Sequence, residues 1–313
     1  MTKRVLVLKT EAFDRVDWWV EHLTARVPGL EVRHWPEVGV EDEIDYALVW
    51  KPVLGDLKRY ANVKAIFSIG AGVDHIFVDP DLPAGVPITR MIDPNMTLRM
   101  TEYVVLHVLR YHRRQPEYDA LQRDRDWREL EQPHAGERTV GILGLGELGT
   151  SAARALSMLG FDVAGWSRSP KQVDGVESFV GEAGFEPFLA RSEIVACLLP
   201  LTEETRGILN AAAFAAMPKG GAVVNAARGG HVAVDDLIAA LDSGQLQGAT
   251  LDVFEPEPLP ADHPLWVHPK VTITPHVAAI TDPRSSCDQV AENIRRVEAG
   301  EPLLNVVDAA KGY

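Results

Sequence analysis

Residues 139–149 read TVGILGLGELG, and this stretch decides the fold. A short apolar run stops at Gly144, and the spacing Gly144-x-Gly146-x-x-Gly149 opens a helical pattern. In a strand–turn–helix site for a dinucleotide, the first glycine makes the tight turn, the second lets the backbone approach a pyrophosphate, and the third lets helix and strand pack closely. A second strand-like run at 161–166 follows at the expected distance. The context therefore favours a dinucleotide site over an ordinary glycine-rich turn.

Length and composition are those of a globular protein with room for two domains. The chain has 313 residues, 46% of them hydrophobic and 24% charged, and no apolar run approaches the roughly 18 residues of a membrane helix. The net charge of −14 argues against nucleic acid or an anionic membrane as partner. An anionic small substrate stays possible, because its binding depends on arginines within the site and not on the net charge of the protein. The two cysteines, Cys197 and Cys287, exclude a disulfide framework and favour a reducing compartment, so we expect a cytoplasmic protein.

Strand-like runs alternate with helix or turn signals along the chain, which predicts an α/β fold with parallel sheets covered on both faces. The strand-like runs are 4–9, 31–35, 46–50, 64–69, 86–90, 161–166, 193–199, 221–227, 248–254 and 271–274. Helical patterns cover 14–27, 96–112, 211–217, 234–241 and 285–298. The runs before the glycine fingerprint form a first α/β unit, and those after it form a second. The last helix is too short for a third domain, so we expect it to rejoin the first unit.

Two segments each allow two interpretations. Residues 70–74, GAGVD, directly follow a strand, and their backbone N–H groups could hold a carboxylate. They could equally be a helix-start turn with Asp74 as a solvated acid. The charged stretch 113–138 is either a solvated excursion or an arm laid over a second subunit, and Trp127 within it favours a contact.

The end of the second strand of the dinucleotide unit predicts the cofactor. In sites that bind NAD, an acidic residue about 20 residues beyond the glycines accepts from the ribose 2′-hydroxyl. Here the sequence WSRSPK offers the hydroxyls of Ser167 and Ser169 and the cations of Arg168 and Lys171 instead. A 2′-phosphate is attracted by Arg168 and would be repelled by a carboxylate, so NADP(H) is predicted over NAD(H), which stays possible. The alternative is a solvated basic loop.

Three polar residues follow strands of the dinucleotide unit: Arg228, Glu257 and His276. Each alone has an ordinary structural explanation, but the carboxyl ends of parallel strands share one edge, where ligands bind. The three types suit reduction of a 2-keto acid. Arg228 would clamp the carboxylate and polarise the carbonyl, His276 would donate the proton, and Glu257 would orient His276 and favour its charged form. No metal is expected, since His263 and His268 lack a ligand set.

At these residues the chain resembles the D-isomer-specific 2-hydroxyacid dehydrogenases, and more narrowly the glyoxylate/hydroxypyruvate reductase A group. The resemblance spans nearly the whole chain and is carried by ALVWKP (47–52), FSIGAGVDHI (67–76), GILGLGELG (141–149), WSRSPK (166–171), LLPLTEETRGILN (198–210), NAARGGHV (225–232), ALDSGQLQGATLDVFEPEPLP (240–260), VTITPHVAAIT (271–281) and the closing KGY. One departure is Ala278-Ala279, where two glycines are common in the family.

The resemblance implies two Rossmann-like or flavodoxin-like lobes with the active site in the cleft between them, working as a homodimer. The substrate-binding lobe would be 1–97 plus 283–313, and the NAD(P)-binding lobe 98–282. Arg228, Glu257 and His276 match the family's catalytic residues. Implied substrate contacts are Trp50, Ala71, Gly72 and Arg228. Implied or predicted cofactor contacts are Gly144, Gly146, Leu148, Gly149, Ser167, Arg168, Ser169, Lys171, Leu199, Pro200, Ala226, Ala227, Asp252 and Ala278, with Asp252 holding the nicotinamide carboxamide.

The predicted activity is therefore NADPH-dependent reduction of a small 2-keto acid such as glyoxylate or hydroxypyruvate. One alternative is a bulkier 2-keto acid, which a change of one or two pocket side chains would admit. A formate dehydrogenase on the same scaffold would carry glutamine where Glu257 stands. A dinucleotide-sensing regulator without turnover is the alternative from another class, and the intact set of three catalytic residues weighs against it.

Overall fold

The computed structural model describes residues 3–10 and 15–308, and the chain divides into two compact units. Unit 1 holds the chain up to Met96 and again from Thr281, and unit 2 is Thr97–Ile280. The boundaries predicted from the sequence lie at 97/98 and 282/283. That the first part binds the substrate and the second part binds the cofactor stays a prediction. Asp14, in the predicted first helix, and the closing KGY lie outside the described residues.

Unit 1 is built on a five-stranded parallel sheet. Its elements are β1 (Arg4–Lys9), α1 (Val16–Arg26), β2 (Leu30–His34), β3 (Tyr46–Val49), β4 (Ala65–Ser68), α2 (Asp74–Phe77) and β5 (Ile88–Thr89). The strand order is β2-β1-β3-β4-β5, the flavodoxin-like order, in which the order reverses beside β1. All four described-strand pairings are parallel, as the continuous apolar runs predict. In this order ligands bind at the carboxyl edge of the strands.

The C-terminal helix belongs to unit 1. Helix α9 (Pro283–Ala299) packs against α1, and Arg26 of α1 forms an ion pair with Asp288 of α9 at 2.5 Å. Pro283 is at the first turn of α9, and the Asp282 side chain accepts a hydrogen bond from the Arg284 N–H at 2.9 Å, capping the helix.

Unit 2 is built on a seven-stranded parallel sheet. Its elements are α3 (Pro94–His112, entering from unit 1), α4 (Gln115–Asp124), β6 (Thr139–Leu143), α5 (Glu147–Met158), β7 (Asp162–Ser167), β8 (Val176–Val180), α6 (Gly181–Arg191), β9 (Ile194–Cys197), α7 (Ala211–Ala216), β10 (Gly221–Asn225), α8 (Val234–Asp242), β11 (Leu246–Leu251) and β12 (Val271–Ile273). The order is β12-β11-β10-β9-β6-β7-β8, which is the dinucleotide-binding arrangement extended by one strand. The order reverses at β6, the strand that carries the glycine fingerprint.

Apolar side chains fill both faces of the unit 2 sheet. Along β9, Ile194 and Ala196 belong to the core beneath α3 and α5, whereas Val195 and Cys197 belong to the core beneath α6, α7 and α8. This alternation is the two-residue period of a strand that is buried on both faces. The pairings among β6, β9, β10, β11 and β12 are all parallel, so the carboxyl ends of these strands lie at one edge of the sheet.

The structure differs from the sequence-based prediction at several elements. Strand β8 and helix α6 occupy a stretch for which no element is predicted, and α4 lies in the charged stretch 113–138. Strand β5 is shorter than its predicted run, and β3 ends at Val49, so Trp50 follows the strand. No helix among the described residues is long and apolar enough to span a bilayer. Both cysteines are buried, and burial raises the pKa of the Cys197 thiol to about 12, as expected of an unreactive cysteine.

Candidate active site

The loop between β6 and α5 has the geometry that a dinucleotide phosphate needs. Gly144 has φ +102°, a conformation that glycine adopts without strain. A Cβ on Gly149 would lie 1.8 Å from the Gly144 carbonyl oxygen, so this approach of helix and strand requires glycine. A Cβ on Gly146 would meet nothing within 4 Å, so the space before the helix is open. No side chain caps α5, and within the described part of the chain the N–H groups of Gly146 and Leu148 donate no hydrogen bond, which leaves donors for an anion.

The loop after β7 presents positive charge where the ribose of a dinucleotide is read. Ser167 is the last residue of β7 and is buried, and its hydroxyl donates to the Ser169 carbonyl at 2.7 Å, which closes the turn. Arg168 and Lys171 are exposed, and no carboxylate stands among residues 167–171. The arrangement can bind a phosphate through a guanidinium and an ammonium group.

The other predicted cofactor residues follow the neighbouring strands at the same edge of the unit 2 sheet. They are Leu199 and Pro200 after β9, Ala226 and Ala227 after β10, Asp252 after β11, and Ala278 after β12. All except Pro200 are buried. The parallel sheet thus places these six residues along one edge, and their contact with the cofactor stays a prediction.

Arg228 follows β10 and is held by its own loop. The Asn225 amide donates to the Arg228 carbonyl at 2.9 Å, and the Arg228 Nη1 donates to the Ala227 carbonyl at 2.7 Å. The next residue, Gly229, packs so closely on the segment after β11 that a Cβ there would lie 2.1 Å from the Phe254 carbonyl carbon. The loop that carries Arg228 is therefore fixed against the loop that leads to Glu257.

Glu257 and His276 form a hydrogen-bonded pair. The Nδ1 of His276 lies 3.0 Å from Oε2 of Glu257, and the other carboxylate oxygen accepts from the Phe254 N–H at 3.1 Å. The two side chains are 32% and 20% exposed, so the pair is neither fully solvated nor sealed. A carboxylate on Nδ1 assigns the Nδ1–H form to the ring, and Nε2 is then the atom that can exchange a proton with a substrate. The geometry suits a general acid with a carboxylate that orients it.

A buried carboxylate, Asp252, fixes the backbone around His276. The two oxygens of Asp252 accept from the Val277 and Ala278 N–H groups, each at 2.9 Å, and the Thr274 hydroxyl donates to Oδ1 at 2.5 Å. The His276 N–H donates to the Asp252 carbonyl at 2.7 Å. His276 has φ +55°, which is uncommon for a residue other than glycine, and these hydrogen bonds hold it there.

Sequence reasoning missed two members of this network. The Tyr103 hydroxyl lies 2.7 Å from the Thr274 hydroxyl, and the burial that excludes water from this contact raises the pKa of Tyr103 above its usual range. Thr274 had a signal, because it stands two residues before His276 at the end of β12. Tyr103 had none, since it belongs to α3 and is far away in sequence.

The substrate residues predicted in unit 1 follow adjacent strands of its sheet. Trp50 follows β3, and the turn with Ala71 and Gly72 follows β4. The Gly70 N–H donates to the Ser68 hydroxyl at 3.2 Å, whereas the N–H groups of Ala71 and Gly72 donate no hydrogen bond within the described residues. A Cβ on Gly70 would lie 2.4 Å from the Trp50 ring, so the indole covers the start of the turn. Helix α2 begins at Asp74, so the turn is also a helix start, and the two interpretations of 70–74 are compatible.

Comparison with known proteins gives matches over the whole chain. Residues 105–278 match the family described as "D-isomer specific 2-hydroxyacid dehydrogenase, NAD binding domain". A glyoxylate/hydroxypyruvate reductase A from Serratia proteamaculans is 47% identical over 306 residues, which are 96% of this chain and 97% of that protein.

Two solved structures cover 100% of this chain and are themselves covered completely. A D-isomer specific 2-hydroxyacid dehydrogenase from Xanthobacter autotrophicus Py2, solved with NADPH and MES, is 47% identical with a TM-score of 0.95. An NADPH-dependent glyoxylate/hydroxypyruvate reductase from Sinorhizobium meliloti, solved with NADP and sulfate, is 42% identical with a TM-score of 0.92.

Proposed function

Because the chain belongs to the D-isomer specific 2-hydroxyacid dehydrogenase family, we propose that it reduces small 2-keto acids of the glyoxylate and hydroxypyruvate type with NADPH. The observation that carries the proposal is the hydrogen bond of 3.0 Å between His276 and Glu257 at the carboxyl edge of a dinucleotide-binding sheet. A histidine oriented by a carboxylate beside such a site is the arrangement that proton-coupled hydride transfer needs.

In the proposed reaction, three side chains have separate tasks. The Arg228 guanidinium binds the substrate carboxylate and polarises the neighbouring carbonyl. NADPH, when bound, supplies the hydride that converts the keto carbon into an alkoxide carbon. His276 gives the proton on Nε2 to the alkoxide oxygen, and the Glu257 carboxylate stabilises the charged imidazole before the transfer and keeps its ring aligned. The products would be the 2-hydroxy acid, NADP+ and a neutral His276, which must regain a proton before the next turnover.

The residues that follow β7 are suited to bind NADP(H). Arg168 and Lys171 provide two cations for the 2′-phosphate, and the relatives from Xanthobacter and Sinorhizobium were solved with NADPH and NADP. The open N-terminus of α5 beyond Gly146 would hold the pyrophosphate. NAD(H) lacks the 2′-phosphate that Arg168 would bind, so it would serve less well.

Small substrates are favoured by the unit 1 turn. The N–H groups of Ala71 and Gly72 would bind the substrate carboxylate, and the Trp50 indole, packed over Gly70, limits the room beside them. A bulky 2-keto acid would have to displace a tryptophan that the backbone of Gly70 supports. This contact favours glyoxylate and hydroxypyruvate over larger 2-keto acids.

We also propose a homodimer in which residues 113–138 contact a second copy. Helix α4 in this stretch has no buried residue, and the Trp127 side chain is fully exposed. Aromatic residues are enriched at protein–protein interfaces relative to the rest of the surface. Sedimentation of the wild type should give twice the chain mass, and Trp127→Glu should shift the protein towards monomer. A monomeric wild type would contradict the dimer. The cytoplasmic location stays a prediction.

The activity is tested by following NADPH and NADH oxidation with a panel of 2-keto acids. We expect rapid NADPH oxidation with glyoxylate or hydroxypyruvate, and at least about a hundredfold loss of kcat in His276→Ala, because general acid catalysis typically contributes that much. Arg228→Ala should raise KM for the keto acid and lower kcat. Glu257→Asp serves as the control that keeps the charge. NADPH binding without turnover of any 2-keto acid by the wild type would favour the dinucleotide-sensing alternative.

A further inference from the structure

A chain of hydrogen bonds in unit 1 joins the two segments to which the proposed function assigns the substrate. His75 of α2 is 8% exposed, and its Nδ1 lies 3.1 Å from the Lys51 N–H, while its Nε2 lies 3.3 Å from the Ser68 hydroxyl. The Ser68 hydroxyl lies 3.1 Å from the Gly72 carbonyl. Ser68 ends β4 and is 1% exposed, so these contacts are made away from water.

The direction of each hydrogen bond follows from the chemistry of its donors. A backbone N–H can only donate, so Nδ1 of His75 accepts from Lys51 and the ring proton is on Nε2. Nε2–H then donates to the Ser68 oxygen, and the Ser68 hydroxyl donates to the Gly72 carbonyl. The Gly70 N–H donates to the same oxygen at 3.2 Å, so Ser68 accepts twice and donates once. Every polar side-chain atom in this series of hydrogen bonds has a partner, and hydrogen bonds linked in this way polarise and strengthen one another.

These hydrogen bonds fix the two segments that flank the predicted carboxylate position, namely residues 50–51 and the 70–72 turn. Lys51 has φ +45°, a conformation that costs free energy in a residue other than glycine, and the bond to His75 holds it there. The imidazole also lies against the Trp50 ring, with centroids 4.3 Å apart, and the Trp50 ring in turn covers Gly70. Removing His75 or Ser68 would therefore release the indole and the turn together.

We propose that His75 and Ser68 are positioning residues that hold Trp50 and the 70–72 turn in one arrangement, and that this arrangement sets the affinity for a small 2-oxocarboxylate. The inference rests on the proposed function, because that function places the substrate carboxylate at Ala71 and Gly72. It assigns no chemical step to either residue. A turn held in advance loses less conformational freedom when the carboxylate binds, so its affinity is higher.

Two variants test this arrangement, and both remove the hydrogen bond between His75 and Ser68. Ser68→Ala removes the hydroxyl. His75→Asn places an amide oxygen where Nδ1 stands, so the Lys51 N–H keeps an acceptor and the link to Ser68 is lost. Because both changes break the same bond, each should raise KM for glyoxylate, and the dissociation constant of the unreactive analogue oxamate, by about five- to twentyfold, as expected for one hydrogen bond of a preorganised site. The KM of the double variant should be no higher than that of the single variant with the higher KM.

A control separates positioning from loss of stability. Ile66→Val lies on β4 two residues before Ser68 and should lower stability by an amount similar to Ser68→Ala, yet leave KM within about twofold. The dissociation constant of NADPH and kcat at saturating glyoxylate should stay within about twofold of wild type in all variants. Effects that add in the double variant, or an equal rise of KM in Ile66→Val, would overturn the proposal.

A spectroscopic measurement keeps the inference distinct from the proposed function. The ring nitrogen shifts of His75 in ¹⁵N-labelled wild type should show the Nε2–H form, and Ser68→Ala should speed amide exchange at Lys51 and Gly70. An Nδ1–H ring, or unchanged exchange, would overturn the arrangement whatever the substrate. An intact arrangement in a wild type that neither reduces 2-keto acids nor binds oxamate would overturn the proposed function and, with it, the assigned effect on affinity.

Discussion

Replacing Gly146 by alanine separates cofactor binding from folding. Gly146 caps α5 at φ −79°, which alanine adopts, and the added Cβ meets no protein atom within 4 Å. Alanine is the poorer N-cap by about 0.5–1 kcal/mol, and the smaller entropy of its unfolded chain offsets a similar amount, so stability should change by less than about 0.5 kcal/mol. The methyl group would, however, fill the space through which a pyrophosphate reaches the backbone. Loss of one charge-assisted hydrogen bond should then weaken NADPH binding about 10- to 100-fold.

The matched variant Gly149→Ala should behave in the opposite way. Its Cβ would lie 1.8 Å from the Gly144 carbonyl oxygen, a backbone atom that cannot rotate away. Helix α5 must therefore move by roughly 1.5 Å from β6, and overpacking of this kind costs about 3 kcal/mol or more. For a unit of this size, the melting temperature should fall by about 6–12 °C.

The assay pairs urea unfolding with fluorescence titration of NADPH for both variants. Gly136→Ala, an exposed glycine whose Cβ would have only an ordinary contact at 3.6 Å, controls for the alanine itself. Gly146→Ala should have wild-type unfolding and weak NADPH binding. If Gly146→Ala bound NADPH as the wild type does, the phosphate would not approach this part of the backbone, and the assignment of the loop would be wrong.

Three further predictions concern the cofactor ribose, the histidine loop and acid stability. Arg168→Ala should raise KM for NADPH about tenfold or more and leave KM for NADH nearly unchanged, because it removes a charge-assisted hydrogen bond to the 2′-phosphate. Equal effects on the two KM values in steady-state kinetics would refute the predicted preference for NADPH. Thr274→Val removes the hydroxyl that donates a hydrogen bond to Asp252, so kcat should fall about tenfold. Thr274→Ser keeps the hydroxyl and should have a kcat near that of the wild type. A Thr274→Val variant with wild-type kcat would exclude a role for this hydroxyl. Burial, and then the charge of Arg110, lowers the pKa of His107 to about 4. The unfolded chain therefore binds a proton that the folded chain does not between about pH 6.5 and 4, and the free energy of unfolding should decrease by roughly 2 kcal/mol as the pH falls through this window. Urea titrations of His107→Gln should show a flatter dependence, and identical slopes would contradict the assignment.

The parts of the fold that the sequence predicted are those with strong periodic signals. The strand β6, the glycine loop and α5 carry their pattern in consecutive residues, and β9, β10 and β11 are continuous apolar runs. The edge strand β8 is half exposed and reads as a polar loop. Helix α6 contains Gly184 and Pro187, which disfavour a helix, and packing of Phe188 and Leu189 overrides them. Helix α4 has no buried face, so it has no apolar period to detect.

The candidate site divides in the same way. Arg228, Glu257 and His276 could be named because each follows a strand whose end the sequence marks. The contact between Tyr103 and Thr274, or between His75 and Ser68, depends on which helix packs over which strand end. A single sequence holds no local signal for such pairs, since the partners come from different elements.

The order of the chain has a consequence for its synthesis on the ribosome. Helix α1 and the sheet of unit 1 emerge early, but α9, which packs against α1, is made only after the whole of unit 2. At roughly 5–20 residues per second, the early strands wait about 10–40 s for their covering helix. Unit 2 is continuous in sequence and can complete its core during that interval. The nascent half of unit 1 is therefore the stretch that chaperones have most time to bind, and variants that expose β1 to β5 should lower the yield of folded protein more than their effect on equilibrium stability indicates.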